Sequence, residues 1–307
     1  GEECVDSSCV TCTECAPGFY KAAISTEACS ACPANTYRET SGATELGNCV
    51  GCLAKSSTNE AVGQTSWSAC VCDSGYYRIV ADSKDDECMV CPPGLTCDGT
   101  STVQPVVENS TWVAHGDIYK LQSCPSGYYV FPASVDAANA GQQECLPCIK
   151  GVECVAAPCV TCTACQPGFY KAAVSTDPCV PCPANTYRET SGATELGNCV
   201  GCLPHSTTKL AVGQSSWSAC ECEPKYYRLV ANDANDACMA CPPGLTCDGT
   251  STVQPVVEGA LWEQDGAIYK LMSCPSGYFV SPASVDASNA ALQECMPCGK
   301  GEECVTA

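Results

Sequence analysis

The stretch that decides the fold is residues 12–37, which reads Cys12-Thr-Glu-Cys15-Ala-Pro-Gly18-Phe-Tyr20-Lys-Ala-Ala-Ile-Ser-Thr-Glu-Ala-Cys29-Ser-Ala-Cys32-Pro-Ala-Asn35-Thr-Tyr37. It contains one pattern twice: a cysteine, two turn residues, Gly or Asn, any residue, and tyrosine. Gly and Asn tolerate positive φ, so each copy of the pattern predicts a tight turn. The tyrosine predicts a short strand whose ring lies against a neighbouring bridge, because so small a loop can bury about one aromatic side chain.

The same pattern returns later, and the whole arrangement then repeats. Two further examples in the first half are Cys72-Asp-Ser-Gly75-Tyr-Tyr77 and Cys124-Pro-Ser-Gly127-Tyr-Tyr129. Every cysteine from Cys4 to Cys148 has another cysteine 150 residues further on, without insertion or deletion. We therefore divide the chain into copy 1 (residues 1–150), copy 2 (residues 151–300) and the start of a third copy (residues 301–307).

The composition explains why the fold depends on cysteine. The chain has 307 residues, 33 of them cysteine, and its formal net charge is −20. Leu, Ile, Val and Phe are too few for a doubly wound sheet, a helical bundle or a barrel, so covalent bridges must replace the missing core. The negative charge argues against nucleic acid or an anionic membrane surface as a partner. No apolar run approaches the roughly 18 residues of a membrane-spanning helix, and no secretory leader starts at Gly1, so we expect a mature or excised chain.

We predict a small disulfide-rich fold of short β hairpins and turns, with little helix, arranged as an elongated tandem-repeat rod. The cysteine spacing suggests a ladder of loops of about 15–20 residues, each stabilised by roughly 3 kcal/mol in the chain-entropy model. The predicted bridges are Cys15–Cys29, Cys32–Cys49, Cys52–Cys70 and Cys72–Cys88 in copy 1, with Cys165–Cys179, Cys182–Cys199, Cys202–Cys220 and Cys222–Cys238 in copy 2. Spacing alone leaves other connectivities open.

The ends of the chain suggest how copies follow one another. The last residues, Gly301-Glu-Glu-Cys304-Val, repeat the first, Gly1-Glu-Glu-Cys4-Val. Each full copy holds 16 cysteines, so Cys304 is the odd one, which indicates either a bridge to another chain or a cut chain. We take Cys4, Cys154 and Cys304 as the residues of the repeat junction. We expect a stretch of a longer array, or end-to-end joining with copies of itself.

A family resemblance becomes specific at these motifs. Cys12-Thr-Glu-Cys15-Ala-Pro-Gly-Phe-Tyr-Lys21-Ala, followed by Cys29-Ser-Ala-Cys32-Pro, resembles the cysteine-rich ectodomain of ephrin receptors, as does Trp67-Ser-Ala-Cys70-Val-Cys72 followed by Tyr76-Tyr-Arg78 and Cys91-Pro-Pro. The resemblance runs from about Cys9 to Pro93 in each copy, with Cys32–Cys49 as an additional module. It implies EGF-like, extracellular modules without the kinase function of the receptors. Similar repeats form long arrays in surface and flagellar-hair (mastigoneme) proteins of protists. The strict 150-residue period of this chain resembles those arrays more closely than it resembles an animal receptor.

Residues for catalysis are missing from the repeat. The two histidines, His115 and His205, have Asp265 and Lys55 as their counterparts in the other copy, so neither belongs to a repeated site. Without histidine a serine or cysteine nucleophile lacks its usual base, and no phosphate-binding glycine loop is present. We predict no enzyme and no cofactor. The Cys-x-x-Cys pairs, of which Cys9/Cys12 is the first, leave zinc as an alternative to disulfides, and we favour disulfides.

Two modification or metal sites remain as candidates. The acidic run Asp82-Ser-Lys-Asp85-Asp86-Glu87 makes Asp85, Asp86 and Glu87 weak calcium candidates, although copy 2 has Ala237 in place of Glu87. A solvated acidic loop is the interpretation that we favour. Asn109-Ser-Thr111 is a sequon for N-glycosylation in the long cysteine-free stretch, and copy 2 does not repeat it.

The function that these observations favour is structural. We expect a secreted, non-catalytic repeat unit of an extracellular filament, such as a flagellar hair, or of a surface coat. Its partners would be copies of itself, end to end and side by side. The alternatives are the stalk or ligand-binding ectodomain of a surface receptor or adhesin, and a surface antigen that carries a lipid anchor outside this segment.

Overall fold

The computed structural model describes residues 1–4, 11–79, 83, 85–136, 138–228, 237–266, 268–286, 288–301 and 303–304. The chain divides into two compact units. Unit 1 consists of Gly1–Cys148 with Cys154–Cys162, and unit 2 consists of Ile149–Glu153 with Thr163–Ala307. Residues 154–162, which stand near the start of copy 2 in the sequence, therefore pack with the unit that copy 1 forms.

Both units are built from short antiparallel hairpins, each a sheet of two strands. The strands of unit 1 are β1 (Glu2–Glu3), β2 (Thr13–Glu14), β3 (Phe19–Tyr20), β4 (Ser30–Ala31), β5 (Thr36–Tyr37), β6 (Val50–Gly51), β7 (Ser56–Ser57), β8 (Val71–Cys72), β9 (Tyr76–Tyr77), β10 (Met89–Val90), β11 (Leu95–Cys97), β12 (Val103–Pro105), β13 (Thr111–His115), β14 (Ile118–Ser123), β15 (Tyr128–Phe131) and β16 (Glu144–Pro147). Each strand pairs with its neighbour in this order, β1 with β2, β3 with β4, and so on to β15 with β16.

Unit 2 repeats the arrangement. Its strands are β17 (Val152–Glu153), β18 (Thr163–Ala164), β19 (Phe169–Tyr170), β20 (Val180–Pro181), β21 (Thr186–Tyr187), β22 (Val200–Gly201), β23 (Ser206–Thr207), β24 (Glu221–Cys222), β25 (Tyr226–Tyr227), β26 (Met239–Ala240), β27 (Leu245–Cys247), β28 (Val253–Pro255), β29 (Leu261–Asp265), β30 (Ile268–Ser273), β31 (Tyr278–Ser281) and β32 (Glu294–Pro297). Helix in the described ranges is limited to 3₁₀ turns at Leu46–Asn48, Trp67–Ala69, Ala140–Gln142, Leu196–Asn198, Trp217–Ala219 and Ala290–Leu292. The predicted fold class of short β hairpins and turns with little helix is confirmed, whereas the elongated rod stays a prediction.

The turn that opens each hairpin forms as the cysteine pattern predicts. In the first example the N–H of Phe19 donates to the carbonyl of Ala16 at 3.1 Å, and the N–H of Cys32 donates to the carbonyl of Gly18 at 2.8 Å. The fourth residue of the pattern has positive φ at Gly18, Asn35, Gly75, Gly127, Gly168, Asn185, Lys225 and Gly277. The turn therefore sets the register of the strands, and it places the next cysteine beside the start of the hairpin.

Neighbouring hairpins are joined through their backbones. Tyr20 forms a parallel bridge with Ala43, and Tyr37 forms one with Gln64. The N–H of Arg38 donates to the carbonyl of Gln64 at 2.9 Å. A strand of two residues cannot satisfy its own backbone groups, so each hairpin depends on the following one for hydrogen bonds.

Gly18 is held where two hairpins meet, and we expect Gly18→Ala to destabilise unit 1. A Cβ at this residue would lie 2.3 Å from the carbonyl oxygen of Gly63, and its φ is +83°. Backbone strain of about 1–2 kcal/mol and overpacking of about 1–3 kcal/mol give an expected loss of roughly 3 kcal/mol. Denaturant unfolding with the disulfides intact measures it.

Gly75→Ala is the matched control for this substitution. Gly75 has nearly the same φ, +85°, but a Cβ there would meet nothing within 4 Å. Copy 2 carries Lys225 at this position with φ 77°, so the site accepts a side chain. The control should lose only about 1 kcal/mol from backbone strain. Equal losses for the two variants would contradict the close packing at Gly18.

One small buried cluster of unit 1 is formed by the hairpins β9–β10, β11–β12 and β13–β14. Tyr77 and Leu95 are buried together, and Trp112 and Tyr119 pack against them. The hydroxyl of Tyr77 accepts the N–H of Tyr119 at 3.1 Å. Burial raises the pKa of the Tyr77 hydroxyl above its usual value. The long cysteine-free stretch that holds the sequon thus includes a hairpin that packs within its own unit.

Gln143 is a buried polar residue that bonds to the strand β14. Its side chain is fully buried, with 0% exposure. Its Oε1 accepts the N–H of Leu121 at 2.8 Å. Its Nε2 donates to the carbonyls of Tyr119 and Ala140, both at 2.8 Å. Gln293 makes the equivalent three bonds in unit 2. The amide therefore fixes the edge of β14 to the 3₁₀ turn before β16.

We expect Gln143→Leu to lower the free energy of unfolding of unit 1 by roughly 3 kcal/mol, because it leaves buried backbone groups without partners. Hydrogen exchange at the amide of Leu121 should become faster as well. Gln142→Leu is the matched control, since Gln142 is exposed and copy 2 has Leu292 at its position. The role of Gln143 would be refuted if both variants unfolded at the same denaturant concentration.

Candidate functional site

The disulfides form a continuous series along each unit. The structure contains Cys15–Cys29, Cys32–Cys49, Cys52–Cys70, Cys72–Cys88, Cys165–Cys179, Cys182–Cys199, Cys202–Cys220 and Cys222–Cys238, the same eight pairs that the spacing suggests. Their Cα atoms are 5.6 to 5.8 Å apart, the usual separation for a disulfide. Each bridge joins the cysteine that precedes the turn and first strand of a hairpin to the cysteine just before the second strand of the same hairpin, so it closes the connection between the two strands.

Other bridges were not predicted from the sequence. Cys91–Cys97 closes a short loop with a separation of 6 residues, and Cys124–Cys145 closes the largest, with a separation of 21. Cys241–Cys247 and Cys274–Cys295 repeat them in unit 2. The sequence does contain a signal for the next bridge along the chain, which begins at Cys148. The residues Cys148-Ile-Lys-Gly151 follow the same turn pattern as Cys15-Ala-Pro-Gly18. Cys148 pairs with Cys162, 14 residues later, as Cys15 pairs with Cys29.

The repeat junction in unit 1 is covalent. Cys148 at the end of copy 1 bonds to Cys162, and Cys154 bonds to Cys159 inside that loop. The N–H of Cys124 donates to the carbonyl of Cys159 at 2.8 Å, and the N–H of Cys159 returns a bond to Cys124 at 2.9 Å. Residues 154–162 are therefore fixed to the hairpin β15–β16 by both bridges and backbone bonds.

The same segment completes an apolar cluster. Cys159 is buried with Leu121, Cys124, Val130 and Cys145. The N–H of Val130 donates to the carbonyl of Val160 at 3.0 Å, and that of Gly127 donates to Cys154 at 2.8 Å. A segment from the following copy thus supplies part of the core of unit 1.

The predicted junction residues behave differently at the three positions. Cys154 bonds within its own copy, whereas Cys304 bonds to Cys298. Cys4 is disulfide-bonded too. Among the described residues the free cysteine is Cys12, and it is exposed. Cys304 is therefore not the unpaired cysteine that counting by copies indicates, and Cys9 lies outside the described residues.

The histidines occupy separate surface positions. His115 is exposed at the end of β13, and the exposed His205 stacks on Tyr226 with ring centroids 4.0 Å apart. No cluster of three or more His, Cys, Asp or Glu side chains that could hold a metal occurs in the part of the chain that the structure describes.

The acidic candidates are engaged in local turns. Asp86 accepts the N–H of Ser83 at 2.9 Å, and the N–H of Asp85 donates to the hydroxyl of Ser83 at 3.2 Å. The structure does not bring Asp85, Asp86 and Glu87 together as a metal site; Asp82 and the acidic run of copy 2 lie outside the described residues. A comparable turn occurs at Asp98, where the Thr100 hydroxyl and N–H hold the pKa of the carboxyl below its usual value.

Asn109 is exposed in a turn with φ 64°, between β12 and β13. Its side chain is exposed, as N-glycosylation requires. Glycosylation of Asn109 remains a prediction. A separate groove of about 210 Å³ lies between Trp67 and Gly99–Ser101. Arg78 lines this groove, and its buried Nε has no partner among the described residues.

Comparison with known proteins identifies the modules. Residues 1–49 and 153–199 match the family described as tyrosine-protein kinase ephrin type A/B receptor-like. The chain contains ephrin-receptor-like cysteine-rich repeats. The matched regions include the β1–β5 segment of unit 1, with the junction residue Cys4 and the bridges Cys15–Cys29 and Cys32–Cys49. The match thus extends over the Cys32–Cys49 module.

Several curated proteins are similar to this chain in sequence. The chain is 27% identical over 196 residues (59% of the chain) to cysteine repeat modular protein A of Toxoplasma gondii. It is 42% identical over 84 residues (27% of the chain) to ephrin type-B receptor 4a of Danio rerio, and 26% identical over 183 residues (55% of the chain) to laminin subunit gamma-1 of Homo sapiens. It spans only 6%, 8% and 10% of these relatives, respectively. The chain is similar to cysteine-rich repeat proteins of the extracellular type. None of the helices in the described ranges has the length and apolar character needed to cross a membrane.

Peptide mapping of a non-reduced digest should recover the eight bridges of the ladder together with Cys148–Cys162. Mapping must begin with alkylation at acidic pH, because thiolates exchange disulfides. We expect the alkyl label on Cys12 alone among the described cysteines. A peptide that joins Cys29 to Cys32 would contradict the ladder.

Proposed function

We propose that this chain is a non-catalytic structural protein of the extracellular space, a repeat segment of a filament of the flagellar-hair (mastigoneme) type or of a surface coat. The observation that carries the proposal is the junction in unit 1. A segment of the following copy is bonded into the core of the copy before it, through Cys148–Cys162. Copies joined in this way form a covalent array that does not depend on a large hydrophobic core.

The charge of the chain suits the surface of such an array. A net charge of −20 repels like surfaces, so side-by-side association requires matched contacts or counterions. The array also resists proteolysis, because a cut loop stays attached through its bridge. The similarity to a cysteine repeat modular protein supports an array of repeated cysteine-rich modules, which this proposal requires.

The second candidate function is the stalk or ligand-binding ectodomain of a surface receptor or adhesin. The 42% identity to ephrin type-B receptor 4a over 84 residues favours it. The two functions differ in what the copies contact: a filament needs contacts between chains, whereas a stalk needs only its neighbours in the same chain.

Negative-stain electron microscopy of the native, unreduced protein at neutral pH tests the proposal. We expect long fibres with a regular axial repeat, because copies that join head to tail add the same unit each time. A reduced and alkylated sample is the control, and it should show no fibres. Short separate rods in the unreduced sample would contradict the filament and favour the stalk.

A further inference from the structure

Each copy contains one buried arginine that pairs with no carboxylate among the described residues. Arg78 is 6% exposed, and Arg228, its counterpart in copy 2, is 7% exposed. The ion pairs in the described part of the chain involve lysines and neither of these arginines. A buried charge without a partner is costly, because the free energy of its lost hydration is not recovered. A groove that opens onto such an arginine is therefore suited to an anionic group.

The contacts that hold each arginine leave its charge unneutralised. A terminal nitrogen of Arg78 donates to Sγ of Cys88 at 3.6 Å, and that of Arg228 donates to Sγ of Cys238 at 3.9 Å. Sulfur is a weak acceptor. The guanidinium of Arg228 also lies 5.9 Å from the ring centroid of Trp217. The Nε of both arginines has no hydrogen-bond partner in the described ranges. These contacts position the side chain and leave donors for a ligand.

A groove beside each arginine has the same apolar lining in both copies. In copy 1 it is formed by Tyr37, Val50, Leu53, Trp67 and Arg78 and holds about 120 Å³. In copy 2 the residues 150 positions later are of the same types, and the volume is about 160 Å³. Val50 is 47% exposed and its counterpart 48%, so each groove has an apolar edge that a partner can reach. We call this site the arginine groove.

The arginine recurs inside a part of the sequence where the two copies differ. Four of residues 71–75 and seven of residues 79–90 are different in copy 2, whereas Tyr76–Arg78 is repeated. Asp85, which also lines the groove of copy 1, is among those that differ, since copy 2 has Asn235. The repeated feature is therefore the cation with its apolar surroundings, without the acidic neighbour.

An exposed turn that carries valine and glutamate also occurs once in each copy. Residues Val106–Glu108 follow β12, and Val256–Glu258 follow β28 with the same sequence, Val-Val-Glu. The first valine is 58% exposed in copy 1 and 59% exposed in copy 2. Both glutamates are exposed, and neither forms an ion pair within the described ranges. We call this segment the acidic turn. Its apolar side chain near an unpaired carboxylate complements an apolar edge beside an unpaired arginine.

We propose that the arginine groove binds the acidic turn of a second copy of this chain. The glutamate of the turn pairs with the arginine of the groove, and the exposed valine lies against the apolar edge. This inference rests on the proposed function, because it names the contact through which chains associate side by side. The charge of the chain favours this occupant: a surface with a net charge of −20 repels its own copies, so association needs a place where a carboxylate meets a free cation.

The repeat makes this weak contact effective. Groove and acidic turn each occur once per 150 residues, so two chains that pair at one copy can pair at the next with no new kind of contact. A carboxylate can accept two parallel hydrogen bonds from a guanidinium, and the docked turn shields the pair from water. In copy 2 the residue after the glutamate is Gly259, in place of the sequon residue Asn109, so a glycan at Asn109 would leave that turn accessible.

Binding of a peptide that represents the acidic turn tests the inference. The receptor is the 307-residue chain with Glu108→Gln and Glu258→Gln, which keeps both grooves and lacks the carboxylates that would fill them. The probe is the capped peptide of residues 254–259, Gln-Pro-Val-Val-Glu-Gly, and its control is the same peptide with Glu258→Gln. We expect the control peptide to bind at least roughly tenfold more weakly, because it lacks the charge that pairs with the arginine. Equal affinities would overturn the proposal.

The four arginines of the chain report where the peptide binds. The Nε of Arg38 and of Arg188 already donates to the carbonyls of Thr40 and Thr190, whereas the Nε of each groove arginine has no partner among the described residues. In nuclear magnetic resonance spectra of the receptor, the Nε–H signals of the two groove arginines should shift saturably with peptide, and the other two should stay. Shifts at all four signals, or at none, would refute the site. Shifts caused by glucuronate and not by the peptide would replace the second copy with an acidic sugar as the occupant.

A pair of substitutions at the apolar edge tests the contact of the valine. Val50→Asp with Val200→Asp in the receptor places a negative charge beside each arginine, and we expect peptide affinity to fall at least roughly tenfold. Leu46→Asp with Leu196→Asp is the matched control, because these leucines are exposed to a similar extent and lie outside the groove lining. Equal affinities for the two receptors would remove the apolar edge from the proposal.

Electron micrographs of the unreduced protein then separate this contact from the proposed function. Glu108→Gln with Glu258→Gln should reduce the side-by-side bundling of fibres, whereas Glu27→Gln with Asp177→Asn removes two exposed charges elsewhere and should not. Equal bundling by the two variants would overturn the contact and leave the filament intact. Peptide binding at both grooves by a chain that forms only short separate rods would support the contact and contradict the filament.

Discussion

The disulfide that closes each loop is the constraint on which the rest of this structure depends. Strands of two residues have almost no independent stability, and the buried clusters hold only a few side chains each. Loops with separations of 14 to 21 residues cost little entropy to order once a bridge has already restricted them. The turn residue with positive φ then brings the next cysteine to the start of the hairpin, so that each closed loop positions its successor.

Backbone hydrogen bonds also join each disulfide-closed loop to the loop that follows it. Tyr20 and Tyr37 each bridge to a residue of the following loop, and Arg38 does the same through its N–H. The order of the hairpins is therefore fixed twice, once by covalent bonds and once by backbone contacts. The segment 154–162 applies the same principle across the end of a copy, where it contributes a cysteine to the preceding core.

The local features of this fold could be predicted from the sequence, and the contacts over longer distances could not. Cys, turn, Gly and Tyr at fixed spacing indicate both a hairpin and its bridge, because the chemistry that specifies them lies within twenty residues. Gln143 has no such signal, since its three partners come from β14 and a 3₁₀ turn that only the tertiary register brings together. The two disulfides of the junction could not be predicted from cysteine spacing, because Cys154–Cys159 lies inside the loop that Cys148–Cys162 closes. The histidines and the acidic candidates form no catalytic or metal site among the described residues, because the side chains of each group are not brought together.

The position of the bridges has a mechanical consequence. Under tension an intact disulfide bypasses the residues inside its loop, so most of copy 1 cannot lengthen. The longest exception is the segment between Cys97 and Cys124, residues 98–123, which none of the bridges between described cysteines given above encloses. These 26 residues hold up to roughly 90 Å of contour length, stored in β12, in the turns and in the hairpin β13–β14. The amide of Gln143 and the hydroxyl of Tyr77 form hydrogen bonds to this hairpin. These bonds must break before the segment, which occurs once in each copy, can extend under tension.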